Sequence, residues 1–488
     1  MSSSTPKSRA VRSYNQRAAC VEGLEARQML TGDVKWGLPL AAATDAIASD
    51  YQGNTYIVGR FSGTVDFNPG RKVYEMTAQS PTGDMFVVKF GNKGEFLWGV
   101  RFGDAAGAPV AADATVARTT QFRPLSGYDN KFPLDTTGSI LWIAGTFSGS
   151  LDFDPHPRRT GTVKATGGTD IFLLGLDQNG IMRAAANVQS VFDETAVGVA
   201  VAPTQSGFAG YISVVGNQED GSGDTQTVYA QYTAKGKIDG VNVLGSGGVD
   251  LVTTGVASDR DGNRYIIGNT SGPFVFSLIA AQGVISQAAA FVAKFDDFGS
   301  FQWVAEIPNA TINDIAADNE SKNIPNGFAI VGSFSGSPNV QFNPLKKNGF
   351  IHAAGGLDGF VARYDFEGSL QYAYRMGGTA DDSANAVTMD GAGSVYVGGQ
   401  FQGTATFGRG PTLTSAGGLD AFAARYGRTG RAQYVTQFGG AGDDRITDVA
   451  LGQGADLIVT GPLIAPGVYG RRTFTPSTAE DLFLLRLD

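Results

Sequence analysis

Aspartates recur at the start of one type of strand, and they are the first candidates for acid–base chemistry in this sequence. Each begins an apolar run of the kind Asp84-Met-Phe-Val-Val-Lys-Phe90. Paired carboxylates can serve as acid and nucleophile in glycoside hydrolysis. An active site, however, is normally formed once in a chain, whereas these residues recur in one local context. We therefore expect them to cap turns through nearby backbone amides. The five are Asp84, Asp170, Asp358, Asp420 and Asp481.

Histidine and cysteine are scarce, which limits metal and nucleophile chemistry. The chain has two histidines and one cysteine, Cys20. Multi-histidine and cysteine-rich metal sites are therefore not expected, and neither is an intrachain disulfide. His156 lies near Asp154, but no Gly-x-Ser-x-Gly motif accompanies it. His352 occupies a position where sister repeats carry Lys or Thr, which predicts a solvent-facing strand position.

One long insert departs from the repeat pattern and is the first candidate for ligand binding. It runs from Thr119 to Gly138, where the other repeats have a short turn. Binding residues concentrate on loops over a rigid scaffold, and a mixture of aromatic and charged side chains is typical of contact surfaces. A plain solvated loop is the alternative. The candidate ligand-binding residues are Arg123, Tyr128, Asp129 and Phe132.

An acidic loop is the only candidate for a cofactor, and the cofactor would be calcium. Glu219, Asp220 and Asp224 lie together in a Gly/Ser-rich segment. Carboxylate oxygens are the ligands that calcium prefers, although a solvated loop explains the same composition. Asp261-Gly262-Asn263 lacks the spacing and distal glutamate of a calcium loop and predicts a hairpin turn. No other cofactor and no catalytic residue is expected.

The residues that would position such sites belong to a sequence repeat. Equivalent glycines, Gly59 and Gly399, lie five repeats apart, which gives a period of about 68 residues. Each copy has a strand ending in glycine, such as Tyr56-Ile-Val-Gly59, and the aspartate-led strand. A Gly-x-x-x-aromatic strand such as Gly94–Trp98 follows, and then an alanine-rich strand. Small residues suit strands crowded around a central axis. The pattern predicts an all-β fold, a seven-bladed β-propeller of four-stranded blades. Its seventh glycine strand is expected at Leu457–Thr460.

The two ends of the sequence complement each other. The last repeat stops at Asp488 without a fourth strand, while Gly32-Asp-Val-Lys-Trp36 has the Gly-x-x-x-aromatic spacing. We therefore expect residues 33–41 to complete the seventh blade by pairing with the C-terminal strands. Such pairing would remove an exposed sheet edge. The predicted domains are a tail, 1–32, and a propeller, 33–488.

The predicted tail differs from the body in charge and in patterning. Five basic and two acidic residues give residues 1–32 a charge of +3, against −9 for the whole chain. Leu24-Glu-Ala-Arg-Gln-Met-Leu30 resembles the LEPR-type N-terminal motif of exported bacterial surface proteins, with Ala26 in place of the proline. The resemblance implies export to the cell surface or the extracellular space. A disordered cytosolic tail is the alternative.

The repeats themselves resemble a known family. Asp50-Tyr-Gln-Gly-Asn-Thr-Tyr-Ile-Val-Gly59 and Asp259-Arg-Asp-Gly-Asn-Arg-Tyr-Ile-Ile-Gly268 are similar to the SBBP-type repeat of bacterial β-propellers. The resemblance covers residues 33–488, although the third repeat (about 193–249) is degenerate. It implies a surface or extracellular propeller, and it supplies no catalytic residues.

The charge and hydropathy of the chain limit the kinds of partner it is expected to have. An acidic body repels phosphate backbones, so nucleic acid is not expected, and no apolar run reaches the length of a membrane span. The leading hypothesis is a monomeric, non-enzymatic binding or scaffold module for a protein or glycan of the cell envelope. One alternative is a hydrolase or lyase acting on polysaccharide through Asp152 and Asp154. Another is a purely structural envelope protein that associates with itself.

Overall fold

The computed structural model describes most of the chain. It covers residues 32–68, 70–105, 107–118, 138–156, 158–203, 209–245, 248–276, 283–318, 327–336, 339–343, 348–478 and 481–488. Of the predicted tail, only Gly32 falls within these ranges. In the described part of the chain, no helix is long and apolar enough to cross a membrane.

The described residues form β-strands and one short 3₁₀ helix, Gln453–Ala455. The strands of the first half are β1 (Val34–Leu40), β2 (Ala43–Ser49), β3 (Thr55–Phe61), β4 (Thr64–Asp66), β5 (Glu75–Thr77), β6 (Asp84–Phe90), β7 (Phe96–Phe102), β8 (Val110–Arg118), β9 (Ser139–Asp152), β10 (Thr162–Asp177), β11 (Met182–Asn187), β12 (Glu194–Pro203), β13 (Ala209–Glu219), β14 (Thr225–Thr233) and β15 (Ile238–Leu244). Those of the second half are β16 (Leu251–Ser258), β17 (Arg264–Thr270), β18 (Phe274–Val275), β19 (Val284–Ile285), β20 (Ala289–Phe295), β21 (Phe301–Ile307), β22 (Ala310–Ala317), β23 (Phe328–Phe334), β24 (Val340–Asn343), β25 (Asn348–Ile351), β26 (Asp358–Tyr364), β27 (Leu370–Gly378), β28 (Ser383–Met389), β29 (Val395–Phe407), β30 (Thr412–Tyr426), β31 (Ala432–Gly440), β32 (Asp448–Leu451), β33 (Leu457–Pro462), β34 (Gly467–Tyr469), β35 (Arg472–Phe474) and β36 (Leu482–Leu487).

The long strands pair antiparallel in consecutive groups of four, numbered here as sheets 1 to 7. Short hairpins project from them, and β27 also pairs briefly with β29, which joins sheets 5 and 6. The all-β class and the four-stranded sheets predicted from the sequence are confirmed, and the arrangement is that of a β-propeller. The sheets are β2-β3-β6-β7, β8-β9-β10-β11, β12-β13-β14-β15, β16-β17-β20-β21, β22-β23-β26-β27, β28-β29-β30-β31 and β32-β33-β36-β1.

A close backbone approach explains the glycine within each second strand. In sheet 1, a Cβ on Gly59 would clash with the carbonyl oxygen of Ala43, where β2 carries an irregularity in register. The same clash with a first-strand carbonyl recurs at the equivalent glycines of sheets 2 to 6, and in sheet 7 the carbonyl is that of Arg445, just before β32. In sheet 7 that glycine is Gly461, which pairs with Phe483 as Gly59 pairs with Phe86. The predicted end of this copy at Thr460 was therefore wrong by one residue, because the close approach selects the glycine.

A second close contact links neighbouring sheets at their outer strands. The Trp36 ring of β1 lies over Gly94 of sheet 1, so that a Cβ there would be 3.0 Å from Trp36 Cδ2. The indole Nε1 of Trp36 donates a hydrogen bond to the carbonyl of Asn92 at 3.0 Å. The Gly-x-x-x-aromatic pattern of the sequence thus corresponds to a contact between sheets. Its further pairs are Trp98 with Gly180, Trp303 with Gly368, Tyr372 with Gly430 and Tyr434 with Gly32.

The first strands contact one another in order, and the two ends of the chain meet. Each first strand contacts that of the next sheet, from β2 through β8, β12, β16, β22 and β28 to β32, and β32 contacts β2. Strand β1 pairs antiparallel with β36, with Leu38 opposite Leu484 and Leu40 opposite Leu482. Trp36, Leu38 and Leu40 are buried in this sheet. The N-terminal strand therefore lies against the C-terminal strand.

Substituting Gly94 tests the contact between outer strands. Gly94 and Gly299 have nearly the same backbone conformation, with φ of +82° and +83°, but a Cβ on Gly299 would meet nothing within 4 Å. Both alanine variants lose about 1 kcal/mol to the left-handed backbone. Gly94→Ala is expected to lose about 1–3 kcal/mol more, because its Cβ presses on Trp36. Equal denaturant midpoints for the two variants would rule out the contact as a stabilising one.

Deleting residues 33–41 tests the pairing of the chain ends. The deletion exposes the edge of β36 and the apolar surface covered by Trp36, Leu38 and Leu40. Each such side chain contributes about 1.5–3 kcal/mol by burial, so a loss on the order of 5 kcal/mol or aggregation is expected. Thermal unfolding measures it, with deletion of residues 1–31 as the control. An unchanged melting temperature after deletion of 33–41 would contradict the pairing.

Candidate functional site

A cavity lies between the first strands of the sheets. It has a volume of about 1100 Å³ and is lined by residues of β2, β8, β12, β16, β22, β28 and β32. We call it the central channel. Small and apolar side chains such as Ala114, Ala257 and Val387 form much of its wall. Against that background, three aspartates of the wall stand out: Asp113, Asp314 and Asp448, called the channel aspartates below.

A local backbone irregularity positions two of the channel aspartates. Asp113 and Asp314 directly follow the register shift of β8 and β22, and Asp448 begins β32. An extra residue in one strand re-aims the side chains beside it. The equivalent positions in two other sheets are Ala46 and Ala386, each also directly after a register shift. Carboxyl groups therefore enter the channel from sheets 2, 5 and 7.

Each channel aspartate joins its own sheet to the next one. Asp113 accepts hydrogen bonds from the amides of Ala114 (2.7 Å) and of Val199 in sheet 3 (2.8 Å). The two oxygens of each carboxyl thus have separate backbone donors, one local and one across the junction. The remaining pairs are Asp314 with Ile315 and Val387 of sheet 6, and Asp448 with Val449 and Ile47 of sheet 1, all at 2.7 Å.

Burial and mutual repulsion make these carboxyls unusually weak acids. Desolvation deep in the molecule raises the pKa of Asp113 to about 6 and that of Asp314 to about 7, although both are partly accessible from the channel. Desolvation also raises the pKa of Asp448, and the charges of Asp113 and Asp314 add to the effect. The hydrogen bonds from backbone amides act in the opposite direction. Asp113 and Asp314 therefore titrate near neutral pH, and the pKa of Asp448 is raised in the same direction.

At one mouth of the channel, the turns between first and second strands carry further carboxylates. These carboxylates cap the turns. Asp50 accepts hydrogen bonds from the amides of Gln52 (3.0 Å) and Asn54 (2.9 Å), and Lys89 Nζ lies 3.2 Å from its Oδ2. Asp259 caps its turn in the same way. Tyr51 is exposed at this mouth. The channel is therefore lined by acidic groups that are held by backbone amides and cations.

The repeated aspartates that begin the third strands cap turns, as predicted. Asp84, for example, accepts hydrogen bonds from the amides of Gln79 (3.0 Å) and Ser80 (2.8 Å) and pairs with Arg101 at 2.8 Å. Backbone donors from the preceding turn recur at the other four, which are Asp170, Asp358, Asp420 and Asp481.

The candidate calcium loop forms a hydrogen-bonded turn. Asp220 Oδ1 accepts hydrogen bonds from the amides of Ser222 (2.8 Å) and Asp224 (3.1 Å), while Glu219 is exposed. Hydrogen bonds from Ser222 lower the pKa of Asp220. Among the described residues, no group of three or more His, Cys, Asp or Glu side chains is placed to hold a metal ion. The calcium hypothesis stays a prediction without a geometric argument behind it.

The Asp261-Gly262-Asn263 segment forms the predicted turn, and His352 is exposed as predicted but lies just after the end of β25. The amide of Gly262 donates to the carbonyl of Asp259 at 3.1 Å, which closes the expected turn. The amide of His156 donates to Asp154 Oδ1 at 2.9 Å, and His352 is exposed beside β25.

The four predicted ligand-binding residues of the second repeat lie outside the described residues. They are Arg123, Tyr128, Asp129 and Phe132.

Sequence reasoning missed the channel aspartates, although a signal was present. Asp314 lies four residues before Asp318, just as Ala46 lies four residues before the turn residue Asp50. An alignment on those turns would have shown a charged residue in an otherwise small and apolar column. Alignment on the second-strand glycine hides it, because the spacing to that glycine varies from repeat to repeat.

Comparisons with known proteins find partial likenesses. No protein-family model matches the chain. It is 32% identical over 108 residues to the regulatory protein FlaEY of Caulobacter vibrioides, covering 21% of this chain and 11% of that protein. It is 31% identical over 137 residues to an uncharacterized WD repeat-containing protein, L264, of Acanthamoeba polyphaga mimivirus, covering 26% and 9%. The chain thus spans about a tenth of the length of these curated relatives.

Among solved structures, the Dos1 propeller is similar to this chain in strand arrangement. The TM-score is 0.41 at 9% identity, and the match covers 94% of this chain and 95% of that one.

The raised pKa values predict that stability falls as pH rises. A carboxyl whose pKa is higher in the folded state stabilises that state below about pH 4, and the contribution disappears as pH rises through the folded pKa. For Asp113 the loss runs from about pH 4 to about pH 6, and for Asp314 it continues to about pH 7, at no more than about 1.4 kcal/mol per group per pH unit. Asp45, Asp382 and Glu194, whose pKa values are raised to about 6, 6 and 7, act in the same direction.

Urea unfolding between about pH 5 and pH 7 measures this slope. Asp314→Asn should flatten it, because asparagine does not titrate. Asp220→Asn is the control and should leave it unchanged, since the pKa of Asp220 is lowered. A wild-type stability that rises over this interval would contradict the assignment.

Proposed function

We propose that the seven sheets are the blades of a closed β-propeller and that this propeller is a non-enzymatic binding or scaffold module. The pairing of β1 with β36 and the contact of β32 with β2 support a closed ring. A closed ring has no unpaired edge at the junction of the chain ends. Rigid propellers present loops and a central channel to partners, and they need no catalytic group to do so.

The observation that supports the proposal is the hydrogen bonding of the channel aspartates. Each uses its two oxygens to accept backbone amides, one of which belongs to the neighbouring sheet. A carboxyl that acts as general acid, base or nucleophile must reach its substrate. Asp113, Asp314 and Asp448 hold the ring together instead, which favours a scaffold over an active site in the channel.

The alternative, a polysaccharide hydrolase or lyase using Asp152 and Asp154, has less support. Asp152 Oδ1 accepts the amides of Asp154 (3.0 Å) and Gly161 (2.7 Å). Asp154 is buried and lies 3.1 Å from Arg159 Nε. A carboxyl that acts on a substrate must be able to reach it, whereas Asp154 is already occupied by its ion pair. The pair is arranged as a turn with an ion pair.

We also propose that the chain is exported, belongs with SBBP-type repeat propellers, and acts as a monomer on a protein or glycan of the cell envelope. The LEPR-like segment Leu24–Leu30 and the repeat motifs of the sequence support this. Detection in the surface fraction of producing cells, and its loss on deletion of residues 1–31, would test the export step. Retention of both forms in the cytosol would overturn it.

Activity assays separate binding from catalysis. Purified protein should bind isolated cell envelopes in a sedimentation assay and release no products from a panel of polysaccharides. If products appear, Asp154→Ala and Asp220→Ala are compared. Turnover abolished only by Asp154→Ala would replace the binding proposal with the hydrolase or lyase.

A further inference from the structure

A second cavity lies at the periphery, where the outer hairpin of sheet 5 meets sheet 6. It has a volume of about 330 Å³ and is bordered by β25, β27 and the end of β29. We call it the peripheral notch. Phe350, His352, Tyr374, Arg375 and Arg409 line it. Its volume is at the lower end of the range for small-ligand sites.

The charge of the peripheral notch is opposite to that of the protein. The chain carries a net charge of −9, yet two arginines and a histidine line the notch and no carboxylate does. One acidic side chain lies close to these cations: Asp358 Oδ1 is 3.8 Å from Arg375 Nε. Arg409 is exposed and has no ion pair among the described residues. The positive charge at the notch is therefore only partly neutralised by the protein.

Both arginines are oriented by their surroundings. The guanidinium of Arg409 lies over the Tyr374 ring at 5.8 Å, and that ring stacks on Tyr372 with centroids 5.1 Å apart. Arg375 Nη1 donates to the carbonyl of His352 at 3.5 Å, while its Nε faces Asp358. A guanidinium that is already oriented loses less entropy when it binds an anion. The two guanidinium groups are thus already oriented for binding an acidic ligand.

An exposed aromatic ring completes the peripheral notch. Phe350 of β25 is 51% exposed, which is unusual for a phenylalanine in this chain. The face of an aromatic ring packs well against the C–H face of a sugar ring, while Arg binds a carboxylate or sulfate in bidentate fashion. An acidic peptide would use the cations alone and leave the ring in water.

We propose that the peripheral notch binds an acidic sugar, a uronate or sulfated residue of a glycan chain. The anionic group pairs with Arg375 and Arg409, and the sugar ring stacks on Phe350. This site is separate from the central channel and adds a ligand class to the scaffold role.

Binding of defined oligosaccharides tests the proposal. Tetragalacturonate is titrated into the full-length protein by calorimetry in calcium-free buffer, with cellotetraose as the neutral probe. Tetragalacturonate should bind more weakly at higher salt, because part of the attraction is between exposed charges. Cellotetraose should show little or no binding.

Matched variants locate the site. Phe350→Ala and Arg409→Gln should each weaken tetragalacturonate binding at least tenfold, with melting temperatures unchanged. Val73→Ala and Arg71→Gln are the controls, since they remove an exposed apolar side chain and an exposed arginine from the outer hairpin of sheet 1. They should bind as the wild type does.

Four outcomes would overturn the proposal. These are no binding of either tetragalacturonate or dextran sulfate, equal binding of cellotetraose, equal binding of a glutamate tetrapeptide, and equal loss in the control variants. Dextran sulfate, tested in the same way, distinguishes a sulfated from a uronate ligand.

Discussion

In sheets 1 to 6 a carbonyl of the first strand lies so close to the second strand that only glycine can face it. A Cβ on Gly59 would clash with the carbonyl of Ala43, and a Cβ on Gly332 would clash with that of Thr311. The first strand accommodates it with an irregularity in register, and the residue after it is re-aimed. Where that residue is aspartate, as at Asp113 and Asp314, its carboxyl reaches the next sheet. The channel wall and the junctions between sheets follow from this one approach.

The outer strands have their own contact between sheets, and it depends on glycine for the same reason. The rings of Trp36 and Trp98 lie over Gly94 and Gly180 of the following sheet, where a side chain would collide with them. The junctions between sheets are therefore fixed by hydrogen bonds near the channel and by aromatic packing at the periphery. Strand β1 takes part in this packing through Trp36, so the N-terminal strand stabilises two sheets at once.

Two regions of the molecule differ in charge. The central channel is lined by carboxyl groups, and the peripheral notch is lined by arginines. The channel aspartates lose hydration and repel one another, which raises their pKa values towards neutrality while the backbone amides hold them in place. The peripheral notch, by contrast, gathers Arg375 and Arg409 beside exposed apolar surface. An acidic body with a basic notch steers an anionic ligand to one place. The scaffold and the proposed sugar site are thus compatible within one fold.

The sequence by itself determined the all-β class, the four-stranded repeat, and the turn-capping role of Asp84 and its equivalents. These depend on local patterns, such as alternation, glycine at turns and carboxyls beside backbone amides, which recur and can be read in one dimension. Only the tertiary structure decided that Asp113, Asp314 and Asp448 line one channel, and that Phe350 and Arg409 meet in one notch. Those residues come from different repeats or from hairpins that pack across a junction. Their proximity depends on how sheets stack, which no local pattern specifies.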